Sequence, residues 1–196
     1  MSETQEKRYK WRRDDYRENT KGLLMLNTGD GKGKTTAAIG VLVRAAGREM
    51  NCVMIQFMKS KTDRYGEHES FEKLGIEVRT MGDGFTWDTN DKTRDIRTSE
   101  ETWALCVEKM RSENYHILVF DELLYVLSYG FLDIDKVISE IRDVRKAQPH
   151  LHLILTGRNV DNALAKLIEE ADLVTEMTEI KHPFNAGIFA QQGIEF

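Results

Sequence analysis

The sequence predicts an α/β protein with a doubly wound, mainly parallel sheet. Short apolar runs of four to seven residues alternate with longer segments in which apolar residues recur about every 3.6 positions. The runs are almost continuous in apolar character, which is typical of strands buried on both faces of a parallel sheet. Strands that alternate with helices are joined by right-handed crossovers, and the helices cover both faces of the sheet.

Six apolar runs are predicted to form the strands. In chain order they are Leu23–Leu26, Cys52–Met58, Ile76–Arg79, His116–Phe120, Leu151–Leu155 and Leu173–Met177. The tail Gly187–Phe196 is a candidate for one further strand, paired antiparallel at the edge of the sheet.

Four segments are predicted to be helical. The first, Thr35–Ala46, is apolar on nearly all sides, as expected of a helix covered by the sheet and by neighbouring helices. Each of the others carries one apolar stripe. The stripes are Trp103, Cys106, Val107 and Met110; Ile134, Val137, Ile138, Ile141 and Val144; and Val160, Leu164, Leu167 and Ile168.

The chain of 196 residues is long enough for one compact domain and too short to assume two. Residues 22–196 are predicted to form that domain, and residues 1–21 a charged arm. Basic residues of the arm are interleaved with Tyr9, Trp11 and Tyr16. Two interpretations are open: a solvated arm, or a flap that covers a ligand or a neighbouring subunit.

The composition argues against several classes of function. The formal net charge of −5 provides no global positive field, so nucleic acid is not an expected partner. No apolar stretch approaches the roughly 18–20 residues of a membrane helix, and the N-terminus lacks the apolar core of a signal peptide. Cys52 and Cys106 lie within apolar patterns, which favours reduced core thiols and a cytoplasmic protein.

The first predicted strand runs directly into a glycine-rich segment that a predicted helix follows. The segment reads Thr28-Gly29-Asp30-Gly31-Lys32-Gly33-Lys34-Thr35-Thr36, and all nine residues are candidates for nucleotide binding. Glycine permits positive φ values that turn successive N–H groups towards an anion, and the helix N-terminus adds partial positive charge. Lys34 is placed to touch phosphate oxygens, and the Thr35 hydroxyl to bind Mg²⁺, or Mn²⁺ in its place. The segment, called the cradle below, therefore predicts a P-loop NTPase (RecA-like) architecture.

The glycine spacing of the cradle departs from the usual pattern. G-x-x-x-x-G-K-[ST] requires glycine at position 28, where this chain has Thr28. The spacing from Gly29 to Gly33 is one residue shorter, so the loop is expected to hold a phosphate chain differently from an ordinary NTPase. The alternative, a glycine-rich turn without a ligand, does not explain the strand–loop–helix context.

A pair of carboxylates, Asp121 and Glu122, follows the apolar strand His116–Phe120. Such a pair matches the acidic partner that orients Mg²⁺ in P-loop proteins, and it is expected to meet the cradle at the carboxyl ends of the strands. Thr35, Asp121 and Glu122 are therefore candidate metal ligands, and Lys34 and Glu122 candidate catalytic residues.

Two arginines are candidates for contact with phosphates. Arg158 follows a predicted strand in Thr156-Gly157-Arg158, and Arg44 lies in the helix after the cradle. For each, a surface salt bridge is an equal alternative.

Three further segments resemble one enzyme family. They are Gly-Asp-Gly-Phe-Thr-Trp-Asp-Thr at Gly82–Thr89, Thr-Gly-Arg-Asn at Thr156–Asn159, and the chain end at Lys181–Gly187 and Ala190–Phe196. Together with the cradle and Asp121-Glu122-Leu123, they resemble the P-loop type of corrinoid adenosyltransferase. The resemblance covers Leu23–Phe196. The short cradle and the Phe-Thr-Trp-Asp loop are its most specific parts, and Pro183 departs from the family pattern.

The resemblance implies a nucleophilic substitution at carbon. In this family a Co(I) corrinoid attacks C5′ of ATP, a cobalt–carbon bond forms, and triphosphate leaves. The cradle, Lys34 and Mg²⁺ would then stabilise the triphosphate as a leaving group. We hypothesise that the shortened loop shifts the nucleotide so that C5′, not the γ-phosphorus, faces the open site. The resemblance also implies a homodimer and a reduced flavoprotein as electron donor.

By the same resemblance, Phe85 and Trp87 bind the corrinoid and take part in catalysis. Aromatic residues of this loop pack beneath the corrin and displace its lower axial ligand, and four-coordinate cobalt is easier to reduce to Co(I). The alternative is that both are ordinary packing aromatics.

Two other functions compete with this interpretation. A small kinase or ATPase would use the same cradle for phosphoryl transfer and release orthophosphate or a phosphorylated acceptor. A nucleotide-gated switch would dock its charged arm on a partner protein and turn over slowly. A switch has no reason to carry the paired aromatics of Gly82–Thr89.

Overall fold

A computed structural model of the protein describes residues 20–82 and 92–195. The strands are β1 (Leu24–Thr28), β2 (Cys52–Ser60), β3 (Glu77–Gly82), β4 (Ile117–Asp121), β5 (His152–Thr156) and β6 (Leu173–Glu176). The helices are α1 (Lys34–Ala46), α2 (Gly66–Leu74), α3 (Lys92–Arg111), α4 (Leu123–Ser128), α5 (Ile134–Ala147) and α6 (Ala165–Glu170). Short 3₁₀ turns lie at Val160–Asn162 and Pro183–Ala186. Nearly all of the predicted arm lies outside these residues, so the division into arm and domain stays a prediction.

The strands form one sheet in the order β3-β2-β4-β5-β1-β6. Each of its five pairings is parallel, which confirms the predicted sheet type. Because β1, β4 and β5 lie side by side in the centre, their carboxyl ends meet at one edge, where ligands bind in open α/β sheets.

Helices cover both faces of the sheet, as the prediction of a doubly wound fold requires. Successive residues of β4 alternate between two core clusters: Phe120 packs with Trp103 of α3, and Val119 with Leu42 of α1. Cys52 and Cys106 are free buried thiols, as predicted, and lie in opposite clusters. Burial raises the pKa of the Cys52 thiol to about 11. Within the described ranges, no helix is both long and apolar enough to span a membrane.

Burial of two elements was predicted wrongly. All four residues of β6 are exposed, because among the described strands β6 lies at the edge of the sheet and pairs with β1 alone. Helix α1 buries Ala38, Leu42 and Ala45 but leaves Val43 42% exposed, so the other described residues cover one face of the helix only.

Two elements also differ from prediction near the end of the chain. The predicted helix from Val160 to Ile168 is divided, because Asp161 and Asn162 adopt left-handed φ values of 53° and 56° that interrupt a right-handed helix. No strand forms between residues 187 and 195, where the chain makes turns with positive φ at Gly187 and Gly193.

Candidate nucleotide and metal site

A row of polar side chains crosses the sheet near the carboxyl ends of its strands. In order its members are Thr80, Gln56, Asp121, Thr156, Asn27 and Thr175. The row has two halves, and within each half the strand register aligns the neighbours. Thr80, Gln56 and Asp121 form one half, and Thr156, Asn27 and Thr175 form the other. A 2.7 Å hydrogen bond from the Thr156 hydroxyl to Asp121 joins the two halves. Residues paired across neighbouring strands face the same side of a sheet, so the side chains of this polar row lie together on one face.

Asp121 lies at the centre of the candidate metal site. Its side chain is buried, and Oδ1 accepts hydrogen bonds from the hydroxyls of Thr35 at 2.8 Å and Thr156 at 2.7 Å. Burial raises the pKa of the carboxyl, and these two hydrogen bonds oppose the rise. The structure thus brings together Thr35 and Asp121, as the sequence predicts. Hydroxyl and carboxylate oxygens are ligands that Mg²⁺ prefers, so the donor set fits this ion.

Glu122 is held in an uncommon backbone conformation. Its φ of 63° is left-handed, which costs roughly 1–2 kcal/mol for a residue with a side chain. Its N–H donates to the Thr156 hydroxyl at 3.0 Å. Its carboxylate lies beside Gly157, where an added Cβ would be 3.2 Å from Glu122 Oε2 and 2.7 Å from the Tyr125 nitrogen. Thr156 and Gly157 therefore position Glu122. Sequence reasoning quoted both without assigning them a role.

The electrostatics of Glu122 follow from this burial. Burial first, and the negative charge of Asp121 second, raise the pKa of its carboxyl to about 7, whereas the charges of Lys34 and Arg158 lower it. Burial thus favours the neutral form of the Glu122 carboxyl, and the two neighbouring cations favour its charged form.

The cradle is braced by the chain that follows β6. The N–H of Gly31 donates to the Met177 carbonyl at 2.7 Å, and the N–H of Met177 donates to the Thr28 carbonyl at 2.8 Å. A Cβ at Gly29 would lie 2.4 Å from the Met177 oxygen, so this close approach requires glycine. The Gly31 N–H is thus engaged by protein backbone, which corrects the expectation that successive N–H groups of the loop all face an anion.

Donors for an anion come instead from the start of α1. Gly33, with φ of 113°, turns the chain into the helix. The N–H groups of the first helical turn, at Lys34, Thr35 and Thr36, have no intrahelical acceptor and carry the positive end of the helix dipole. The Thr28 hydroxyl is buried without a hydrogen-bond partner among the described residues.

Lys34 reaches back across the cradle. Its ammonium group donates to the carbonyls of Gly29 at 2.8 Å and Gly31 at 2.7 Å, and desolvation by burial lowers its pKa. Asn27 of the polar row donates to the Lys34 carbonyl at 3.2 Å. The cation is therefore fixed over the loop predicted to bind phosphate.

A family model matches residues 20–196 of this chain. The family is described as ATP:corrinoid adenosyltransferase BtuR/CobO/CobP. The chain belongs to this family.

Three relatives illustrate the membership, and each is named corrinoid adenosyltransferase. The protein from Sinorhizobium sp is 44% identical over 180 residues, which cover 90% of this chain and 81% of the relative. The Pseudomonas aeruginosa protein is 39% identical over 179 residues, which cover 90% of this chain and 84% of the relative. The Escherichia coli (strain K12) protein is 34% identical over 180 residues, which cover 91% of this chain and 88% of the relative.

Among solved structures, the flagellar accessory protein FlaH from Methanocaldococcus jannaschii has a similar fold. The TM-score is 0.52 at 7% identity, over 79% of this chain and 70% of FlaH. At that identity the similarity concerns the fold alone.

In this adenosyltransferase the other predicted nucleotide-binding residues are placed unequally. Asp30 is exposed, and Lys32 pairs with Glu195 at 3.0 Å. Arg158 is exposed, and its charge lowers the pKa of both Lys34 and Glu122, as expected of a cation beside the site. Arg44 is exposed in the last turn of α1, about 15 Å along the helix from Lys34 at 1.5 Å per residue, so the structure does not bring it to the cradle.

The predicted corrinoid-binding residues, Phe85 and Trp87, lie outside the described residues, so their role stays a prediction. The segment that carries them leaves β3 at Gly82, on the β2–β3 side of the polar row.

Proposed function

We propose that this adenosyltransferase transfers the 5′-deoxyadenosyl group of ATP to the cobalt of a Co(I) corrinoid and releases triphosphate. The observation that carries the proposal is the convergence of Lys34, Thr35 and buried Asp121 at one sheet edge, in a chain of this family. The cobalt electron pair attacks C5′ and forms the cobalt–carbon bond. The C5′–O5′ bond breaks, and its electron pair leaves with the triphosphate.

The cradle stabilises the departing triphosphate. Negative charge develops on O5′ as the bond breaks and spreads into the phosphate chain. The N–H groups that begin α1 are fixed by the helix, and the Gly29 and Gly31 carbonyls hold the Lys34 ammonium group at the loop, so both positive groups are in place before that charge appears. In the ordinary reaction of such a loop these groups stabilise a phosphoryl group in transfer. Here they stabilise the whole leaving group.

We infer that Thr35, Asp121 and Glu122 hold Mg²⁺, or Mn²⁺ in its place. When bound, the ion would neutralise phosphate charge as a Lewis acid. The Thr35 and Thr156 hydroxyls orient the Asp121 carboxylate, and Gly157 leaves space for that of Glu122. Ligands fixed in this way lose little side-chain freedom when the cation arrives.

We propose further that Phe85 and Trp87 lie beneath the corrin and exclude its lower axial ligand. The family resemblance supports this, as does the exit of their segment from β3 at the edge that carries the polar row. A reduced flavoprotein as electron donor and a cytoplasmic location follow from the resemblance and the composition. A homodimer likewise follows from the resemblance.

The direct test is an anaerobic reaction of the protein with Mg-ATP and a chemically reduced corrinoid. A light-sensitive alkylcobalt spectrum and one triphosphate per corrinoid, resolved by phosphorus NMR, are expected. Orthophosphate without an alkylcobalt product would contradict the proposal and favour a kinase or ATPase. The family membership does not favour that alternative.

A further inference from the structure

The β2–β3 side of the polar row contains a second network of side chains. Gln56 is wholly buried, and its amide oxygen accepts hydrogen bonds from Thr80 Oγ1 at 2.9 Å and His68 Nε2 at 2.8 Å. His68 Nδ1 accepts from the Tyr65 N–H at 3.4 Å, so the ring proton lies on Nε2. Burial lowers the pKa of His68, which agrees with a neutral ring. The orientation of the Gln56 amide is therefore determined.

The amide nitrogen of Gln56 holds Glu67 in turn. It donates to Glu67 Oε1 at 3.4 Å, and the same oxygen accepts from the ammonium group of Lys59. That ammonium group also lies 4.2 Å from the centroid of the Tyr65 ring. The Lys59 side chain is only 20% exposed. This ion pair differs from a mobile surface pair, because a buried amide and an aromatic face fix both partners.

Lys59 lies on the strand next to the candidate metal site. It follows Gln56 by three residues on β2, and Gln56 pairs in register with Asp121 on β4. The pairing of β2 with β3 shifts register between Gln56 and Ser60, and Phe57 and Met58 both pack in the core cluster on the far side of the sheet, so Lys59 returns to the face of Gln56. Lys59 therefore lies one strand away from Asp121, near the carboxyl end of β2.

Cations from three separate elements thus lie near the carboxyl ends of the parallel strands. They are Lys34 of the cradle, Arg158 after β5, and Lys59 on β2. Sequence reasoning identified the first two as candidates and missed the third.

We propose that Lys59 is a further binding residue of this site, whose ammonium group donates to an oxygen of the nucleotide's phosphate chain. The proposal rests on the proposed function, since it requires a phosphate chain in the cradle. Three linked phosphates carry more negative charge than one ammonium group and one divalent cation neutralise, and Lys59 supplies a cation from the strand beyond Asp121. Glu67 has two opposing effects: it holds Lys59 in place and competes with phosphate for it.

Because Glu67 competes with phosphate for Lys59, substitutions of these two residues are expected to affect phosphate affinity differently. Calorimetry would measure the affinity of the full-length protein for magnesium tripolyphosphate. Lys59→Met is expected to weaken binding about 10-fold or more, since a charge-assisted hydrogen bond is lost, and Lys59→Arg to retain most of it. Glu67→Gln is expected to bind as tightly as the unaltered protein or more tightly. Lys73→Met, which removes an exposed lysine at the far end of α2, serves as the matched control and is expected to change nothing.

A merely structural ion pair predicts a different pattern. If Lys59 only fastened α2 to β2, Lys59→Met and Glu67→Gln would lower the thermal midpoint equally and alter affinity in the same direction. That result, or unchanged affinity in Lys59→Met, overturns the proposal. If the unaltered protein bound neither magnesium tripolyphosphate nor Mg-ATP, the proposed function would fail as well. Binding that is retained in Lys59→Met overturns the Lys59 assignment alone.

Discussion

The two halves of the polar row hold their functional groups by different means. On the cradle half, formed by β6, β1 and β5, the backbone supplies most of the contacts: N–H groups that begin α1, a hydrogen bond from the Gly31 N–H to the Met177 carbonyl, and glycines where the chains approach closely. On the β2–β3 half, side chains hold one another, from Thr80 through Gln56 and Glu67 to Lys59. We therefore expect single substitutions at a few positions of the cradle half to have large effects. Single substitutions on the β2–β3 half are expected to have smaller, graded effects.

The largest effect is expected on the cradle half, from Lys34→Ala. Loss of this buried ammonium group removes a preorganised donor to the leaving group, so kcat/KM with pre-reduced corrinoid should fall by about 10²–10³-fold. Lys32→Ala is the matched control in the same loop, because Lys32 is exposed and paired with Glu195, and it should cost far less. Undiminished activity in Lys34→Ala would refute the role of the cradle.

The next largest effect concerns the segment after β3. Phe85→Ala and Trp87→Ala should reduce the rate from Co(II) corrinoid by about 10–100-fold, because the axial ligand stays bound and the cobalt is harder to reduce. The rate from chemically prepared Co(I) should change much less. Parallel assays from the two oxidation states make the comparison, and equal losses in both would exclude the proposed role.

A smaller effect is expected where the two halves join, at Thr156. Thr156→Val keeps the shape but removes the hydroxyl that donates to Asp121 and accepts from the Glu122 N–H. Leaving buried polar groups unpaired should cost about 1–3 kcal/mol in the free energy of unfolding, measured with urea. Thr175→Val, on the exposed edge strand of the same row, should change stability by less than about 0.5 kcal/mol. Equal losses of unfolding free energy at both positions would contradict the role of Thr156 in holding Asp121 and Glu122.

The smallest effect is a pH dependence from Glu122. Folding raises the pKa of its carboxyl from 4.5 to about 7, chiefly through burial. Between these pH values the unfolded chain has released the proton and the folded protein has kept it. The stability contributed by Glu122 is therefore present below about pH 4.5 and lost as the pH rises to about 7.

Comparison with Glu122→Gln isolates this contribution. Without divalent cations, the unaltered protein should lose stability relative to the variant as the pH rises through that window. The histidines with lowered pKa, His68 and His152, are common to both proteins and cancel in the difference. The free energy of unfolding of both proteins would be measured with urea at several pH values. A difference between them that does not change with pH, or that changes in the opposite direction, would contradict the assigned pKa.

The same contrast explains how far the sequence predicts this site. Lys34, Thr35 and Asp121 could be identified because their roles depend on short contiguous patterns: a glycine loop between a strand and a helix, and a carboxylate after an apolar strand. Gln56 and Lys59 could not, since their partners lie in α2 and β3 and are brought together only by strand register. Nothing in the local pattern distinguishes a buried glutamine that positions a site from an ordinary polar residue in a strand.

The fold shows the same limit. The strands and the parallel sheet follow from runs and periods in the sequence, and the structure confirms them. The exposure of β6 does not follow, because an apolar run has the same pattern in a central strand and in an edge strand. The division of the last predicted helix depends on the left-handed residues Asp161 and Asn162, which the apolar stripe does not reveal.

The central role proposed for the cradle is the release of an intact triphosphate from C5′. ATP that carries ¹⁸O at the oxygen between C5′ and the α-phosphorus reports which bond breaks. After anaerobic turnover with reduced corrinoid, mass spectrometry should find the label in the triphosphate, because the C5′–O5′ bond has been cleaved. Label that remained on the adenosine portion would mean that a phosphorus–oxygen bond had broken, which would contradict substitution at C5′.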